Sequence, residues 1–236
     1  MTFAEARSLA RTTGFLYLII ILCAGFAEGV VRGGLVIPGD AAATAASILG
    51  SPGLFRLGFA ADLVAFLCDA AVAVLLYVLL VSAGRTLALL ALAFRLLAHP
   101  AIAAVNLLNH FGALLLLDGS GPMGVLPEGQ REALALTALE LHRVGYLVGG
   151  AFFGVHCALL AILLVRSPRF PAVLGGLLGL AAVGYLAESF TFFLLPAFEE
   201  PAGMLVVVTA GVAEVAFCIW LLVKGVRTPP AAGAPG

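Results

Sequence analysis

Residues 87–117 read LALLALAFRLLAHPAIAAVNLLNHFGALLLL, an apolar run longer than the roughly 20 residues that a transmembrane helix needs. Five polar side chains interrupt this run. At about 100° per residue they fall within a stripe of roughly 100° on one helical face. They are Arg95, His99, Asn106, Asn109 and His110. Because a cation cannot face lipid cheaply, we expect this stripe to face other helices or a water-filled cavity.

The composition of the whole chain is that of a membrane protein. Of its 236 residues, 63% are hydrophobic and 11% are charged, and its mean hydropathy is +1.16. Soluble domains carry about 25% charged residues. The lipid bilayer is therefore the expected partner, and the net charge of −1 gives no argument for nucleic acid.

The spacing of the apolar runs predicts an all-α fold, a polytopic transmembrane helix bundle. We expect a single domain over residues 1–227 with spans at about 12–31, 54–81, 87–117, 135–165, 171–195 and 202–223. The short link at 82–85 makes spans two and three antiparallel neighbours. Between spans, Asp40 is expected to cap a short helix and Phe198–Pro201 to form an acidic loop. The Pro/Ala/Gly tail at 228–236 is predicted to be disordered.

The first span allows two interpretations. Arg7 and Arg11 precede the apolar run Gly14–Ala27, a pattern that a cleaved signal peptide shares with a retained span. The length of the run and the charge distribution favour a retained span. Near its far end, Glu28 and Arg32 are four residues apart, which fits either an ion pair at headgroup level or a Glu28 side chain turned inward.

The arginines and lysine indicate the orientation. With six spans, seven basic residues fall on one side and the acidic loops on the other, which predicts that both termini are cytoplasmic. The seven are Arg7, Arg11, Arg85, Arg166, Arg169, Lys224 and Arg227.

Polar residues within the spans form two layers when depth is counted at 1.5 Å per residue from the cytoplasmic ends. An inner polar layer, at roughly 14–20 Å, contains Asp69, Arg95, His156 and Glu214. An outer layer, at about 24–30 Å, contains Glu28, Asp62, Asn106, Tyr146 and Glu188, with His142 above it.

Each layer has its own interpretation. The inner layer suggests the buried pairs Asp69–Arg95 and Glu214–His156, which would fix helix register. The outer layer suggests a water-accessible ligand-binding site, because three dry carboxyls at one depth would be very costly. Asp62 and Glu188 are the first choices for ligand contacts, and the ligand is expected to be small and polar or cationic.

Cofactor signals are weak. The four cysteines lie one on each of four apolar runs, and the sequence contains no CxxC, CxxCH or HExxH motif. No cofactor or metal is predicted. Two alternatives stay open: haem bound by His110 and His142, or a metal held by a set of Asp and His residues.

Several short runs together resemble a bacterial multi-pass membrane family, domain-of-unknown-function family 4386. The runs are IPGDAAATA at 37–45, LFRLG at 54–58, Asp69 followed by Leu76-Tyr77, Phe94-Arg95, NLLN at 106–109 and FGVH at 153–156. The resemblance covers nearly the whole chain. It implies an integral protein of the bacterial cytoplasmic membrane with no established activity. If the protein has a mechanism, the resemblance implies that it depends on Asp69, Arg95, Asn106, His142 and His156.

Three classes of function remain open. The first is a carrier or sensor of a small solute or of protons, with an intramembrane polar site that opens to the extracytoplasmic side. The second is a scaffold whose polar pairs only hold helices together, and the third is a haem- or metal-binding membrane enzyme. The sequence favours a non-enzymatic role, and oligomeric state is not predicted.

Overall fold

The structure, a computed structural model, describes residues 1–227; the tail predicted to be disordered lies outside the described residues. Within that range the chain forms helices and turns with no strand. The main helices are α1 (Phe3–Leu35), α2 (Ala41–Gly50), α3 (Pro52–Ala83), α4 (Arg85–Asp118), α5 (Glu128–Arg166), α6 (Ala172–Leu194) and α7 (Pro196–Val223). All except α2 are long and apolar enough to cross a membrane. The predicted six-span, all-α bundle is therefore confirmed.

The six long helices form a ring that follows chain order. Each packs against the next, and α7 closes the ring by packing against α1. The predicted neighbours α3 and α4 are in contact across the turn at Gly84. At the closure, the Cys218 thiol lies 3.5 Å from the Gly14 carbonyl oxygen, as a weak donor. Gly14 allows this approach because a Cβ there would lie 2.8 Å from the Leu222 backbone nitrogen.

Two widened turns interrupt the regular helices. α1 is a π-helix over Phe26–Arg32, and α4 is one over Leu97–Ala103. Pro100 lies inside the second segment; proline has no N–H to donate, and in a regular α-helix its ring would clash with the carbonyl four residues earlier. The polar stripe of α4 still faces inward, since Arg95 and His110 are buried. The predicted orientation of this stripe is confirmed.

The start of α7 differs from the sequence prediction. The acidic loop expected at Phe198–Pro201 is wrong, because the α-helical part of α7 begins at Glu199. Two acidic residues in a first turn interact favourably with the helix dipole, and proline is tolerated there. The predicted cap of α2 is confirmed: the Asp40 carboxylate accepts a hydrogen bond from the Ala43 amide at 2.9 Å.

The two ends of the bundle differ in charge. The basic end holds both ends of the described chain and the turns at Gly84 and Ser167. Here Arg11 donates to the carbonyl of Val223 at 3.3 Å, and Arg169 donates to that of Leu79 at 3.2 Å. Arginines therefore cap helix C-termini at this end. The acidic end holds Asp40, Asp118, Glu128, Glu199 and Glu200.

The charge difference gives a prediction of membrane topology. Single cysteines replacing Arg85 and Arg166 should react with an impermeant thiol reagent only from the cytoplasmic face. Cysteines replacing Gly121 and Glu200 should react only from the opposite face, because loops rich in Arg and Lys stay cytoplasmic. Labelling in intact cells and in inverted vesicles would measure this, and Arg85→Cys and Gly121→Cys reacting from the same face would contradict it.

Candidate functional site: two buried polar clusters

The inner cluster lies near the middle of the bundle and draws on all six long helices. It consists of Tyr17, Asp69, Arg95, His99, His156, Tyr185 and Glu214. Arg95 is at its centre and is only 1% exposed. Its guanidinium donates to Asp69 Oδ1 from Nε at 3.0 Å and from Nη2 at 2.5 Å. The Asp69–Arg95 contact predicted from their similar depth is confirmed.

His156 completes the surroundings of Arg95. Its Nδ1 donates to the Ala91 carbonyl at 2.8 Å, so Nε2 is free to accept from Arg95 Nη1 at 3.1 Å. The guanidinium carbon also lies 5.0 Å from the centre of the Tyr17 ring and 5.1 Å from that of Phe153. Buried charges are tolerated when they are paired and hydrogen-bonded in this way.

Glu214 belongs to the same cluster but has other partners than expected. Its carboxylate accepts from the Tyr17 hydroxyl at 3.1 Å and from the Tyr185 hydroxyl at 2.5 Å. The Glu214–His156 pair considered from the sequence is wrong, because α7 directs Glu214 towards α1 and α6. In residues 1–227, no buried side-chain oxygen or nitrogen of the inner cluster lacks a hydrogen-bond partner.

The outer cluster lies nearer the acidic end and consists of Arg32, Asp62, Asn106, His110, His142 and Tyr146. Arg32 Nη1 donates to Asp62 Oδ2 at 2.5 Å, and Arg32 Nε donates to Glu28 Oε2 at 2.7 Å. The Asp62 side chain is fully buried, whereas that of Glu28 is 72% exposed. The alternative in which Glu28 turns inward is therefore wrong. Arg32 turns inward instead and joins the exposed carboxylate to the buried one.

A reciprocal pair of hydrogen bonds joins α4 to α5 in this cluster. Asn106 Nδ2 donates to the backbone carbonyl of His142 at 2.6 Å, and His142 Nδ1 donates to that of Asn106 at 3.1 Å. Gly145 makes the contact possible, since a Cβ at this position would overlap the Asn106 amide. Asn106 and His142 are thus held in fixed orientations.

Four buried polar atoms of the outer cluster make no well-formed hydrogen bond within residues 1–227, although the Tyr146 hydroxyl lies close to the Asp62 carboxylate. They are Asp62 Oδ1, His110 Nδ1, His142 Nε2 and Tyr146 Oη. Their rings are neighbours, with 5.4 Å between the centres of His110 and His142 and 5.0 Å between those of His142 and Tyr146. The two clusters therefore differ, because the inner one is hydrogen-bonded throughout and the outer one is not.

A family comparison covers both clusters. The family described as Domain of unknown function (DUF4386) matches residues 12–225. The chain belongs to the DUF4386 family. No curated protein and no solved structure matches it. Membership confirms the resemblance seen in the sequence, and with the six apolar helices it makes this DUF4386 chain a multi-pass membrane protein of a family without an assigned function.

Glu188 lies apart from the outer cluster. It is half-buried in a groove of about 530 Å³ at the acidic end, together with Arg143, Glu199 and Glu200. Arg143 forms an ion pair with Glu199 in this groove. Neither Asp62 nor Tyr146 is among the groove's lining residues, so Asp62 and Glu188, although similar in depth, do not line one common groove.

Metal-ligand geometry does not occur in the part of the chain that the structure describes: no group of three or more His, Cys, Asp or Glu is placed to hold a metal ion. Three residues of these clusters in this DUF4386 member have a larger part than their sequence pattern indicated. Arg32 was expected near headgroup level, and Tyr17 was not considered. His110 was placed on the inward stripe of α4, but its only suggested role was as a haem or metal ligand. His110 and His142 lie on helix faces that carry other polar residues, and this pattern is visible in the sequence.

Proposed function

We propose that this DUF4386 member is a carrier or sensor that takes a small polar or cationic solute, or protons, into an intramembrane site at the outer cluster. The observation that carries the proposal is the contrast between the clusters. Buried polar groups cost free energy when they are not hydrogen-bonded, and the outer cluster holds four such atoms, one of them an oxygen of the buried Asp62 carboxylate. A bound solute would supply the missing partners.

The exposure of Glu28 supports access from the acidic end. A charged side chain that is 72% exposed avoids the hydrocarbon, so Glu28 marks the level at which α1 reaches water or headgroups. Arg32 connects this carboxylate to Asp62 by two hydrogen bonds. A movement of Arg32 towards Glu28 would open the way to Asp62. With the basic end in the cytoplasm of a bacterium, the site opens to the extracytoplasmic side.

Cysteine labelling would measure whether water reaches the outer cluster. In a background with Ala at Cys23, Cys68, Cys157 and Cys218, Tyr146→Cys should react with a charged methanethiosulfonate reagent added at the acidic end. It should not react from the basic end. Phe153→Cys on the same helix, an equivalent aromatic-to-cysteine change, should react from neither. If Tyr146→Cys stays unreactive while Gly121→Cys reacts, the outer cluster is closed and the proposal fails.

A second candidate is a membrane scaffold, and the inner cluster favours it. The Asp69–Arg95–His156 network uses its buried donors and acceptors within the protein, as a structural network does. The scaffold role predicts that neither cluster admits a charged reagent, so the labelling experiment separates the two candidates.

A further inference from the structure

The two histidines of the outer cluster are held in defined tautomers. His110 Nε2 lies 3.2 Å from the Phe55 carbonyl oxygen, and His142 Nδ1 lies 3.1 Å from that of Asn106. A carbonyl only accepts, so the hydrogen of each neutral ring is on the nitrogen that faces it. The other nitrogen of each ring then presents a lone pair. The stacking of His110 on Phe55, with ring centres 4.0 Å apart, fixes its direction further.

The missing partner of these atoms must be a donor. His110 Nδ1, His142 Nε2 and ionised Asp62 Oδ1 are acceptors only, and the Tyr146 hydroxyl both donates and accepts. The His110 and His142 side chains are at most 2% exposed, and Asp62 is fully buried. Acceptors therefore outnumber donors among these four atoms, which favours an occupant that donates hydrogen bonds.

The buried charge of the outer cluster is balanced within the protein. Arg32 pairs with the buried Asp62, whereas Glu28, its second partner, is 72% exposed. Alkali cations prefer oxygen ligands, as hard cations do, whereas two of the acceptors here are imidazole nitrogens. A small cation that carries N–H groups matches these acceptors.

We propose that the outer cluster binds ammonium or a small primary ammonium ion, with its N–H groups directed at His110 Nδ1, His142 Nε2, Asp62 Oδ1 and Tyr146 Oη. This inference rests on the proposed function and names its substrate class. Water also donates to such acceptors and fills many buried polar sites. The experiment must therefore separate an ammonium site from a hydrated one.

The test is equilibrium binding of [14C]methylammonium to the purified full chain in detergent at fixed pH and ionic strength. We expect saturable binding that ammonium chloride displaces. Potassium chloride and tetramethylammonium chloride at equal concentration should not displace the label, because neither cation has an N–H donor. The absence of saturable binding, or equal displacement by potassium, would overturn the proposal.

Matched variants locate the site. His110→Phe keeps a ring on Phe55 but removes the lone pair, and it should weaken methylammonium binding at least tenfold. His99→Phe, the same change in the inner cluster, should leave binding unchanged. Asp62→Asn gives a second variant if His110→Phe fails to fold, and it should also lose at least tenfold. Unchanged binding in a folded His110→Phe or Asp62→Asn variant would contradict the assignment.

The two proposals can fail separately. If Tyr146→Cys is labelled from the acidic end but methylammonium does not bind, the site is accessible and its ligand belongs to another class. If Tyr146→Cys is not labelled from either end, the proposed function itself fails.

Discussion

Arg95→Ala is expected to lower the free energy of unfolding by about 3–5 kcal/mol, the usual cost of removing one partner of a buried ion pair. The substitution would leave the Asp69 carboxylate 1% exposed, with only the 3.4 Å contact to His99 in place of its guanidinium partner. His156 Nε2 would lose its donor as well. Unfolding in detergent, followed by circular dichroism against temperature and denaturant, would measure the loss.

The double variant Asp69→Asn/Arg95→Gln should recover much of this loss, because two neutral amides can hydrogen-bond to each other without a buried charge. Arg85→Ala, an exposed arginine on the same helix, is the matched control and should change stability by less than about 0.5 kcal/mol. If the effects of Asp69→Asn and Arg95→Gln simply add, the two residues are not energetically coupled.

Gly14→Leu is expected to destabilise the protein by about 1–3 kcal/mol, the typical cost of overpacking a close contact. A Cβ at Gly14 would lie 2.8 Å from both Leu221 Cβ and the Leu222 backbone nitrogen. Backbone atoms cannot yield as a flexible side chain can, so α1 and α7 would have to separate where they close the ring.

Gly25→Leu is the control for this prediction, because it makes the same change on the same helix where a Cβ would meet nothing within 4 Å. It should be neutral or slightly stabilising, since leucine favours a helix by nearly 1 kcal/mol over glycine. Thermal unfolding of both variants in the same detergent would compare them. Equal melting temperatures for the two would contradict the close α1–α7 contact.

Depth along a helix could be predicted from the sequence, because the rise per residue is fixed. For Asp69 and Arg95, on helices joined by a short turn, similar depth was enough to predict the contact. For Glu214 and His156 it was not, because depth does not say which neighbour a side chain faces. That direction depends on the order of helices around the ring, in which α7 lies between α6 and α1.

The inward position of Arg32 could not be predicted for a different reason. Glu28 and Arg32 lie in the π-helical segment Phe26–Arg32, where the rotation per residue departs from the roughly 100° of a regular α-helix. Nothing in the sequence of this segment indicated the wider turn. Only the structure therefore shows that Arg32, and not Glu28, turns inward. The role of the outer cluster as a ligand site stays a prediction.

The contact between Tyr17 and Glu214 has a consequence for how the protein is made. The two residues are 197 positions apart, so the hydroxyl of the first span enters the membrane long before its acceptor is synthesised. At about 5–20 residues per second, the ribosome needs about 10–40 s to reach Glu214. During that time α1 lies in the bilayer without α7 beside it. Because α7 is made last and closes the ring, a chain whose synthesis stops before α7 would have an open ring and no Glu214 to accept the Tyr17 hydrogen bond.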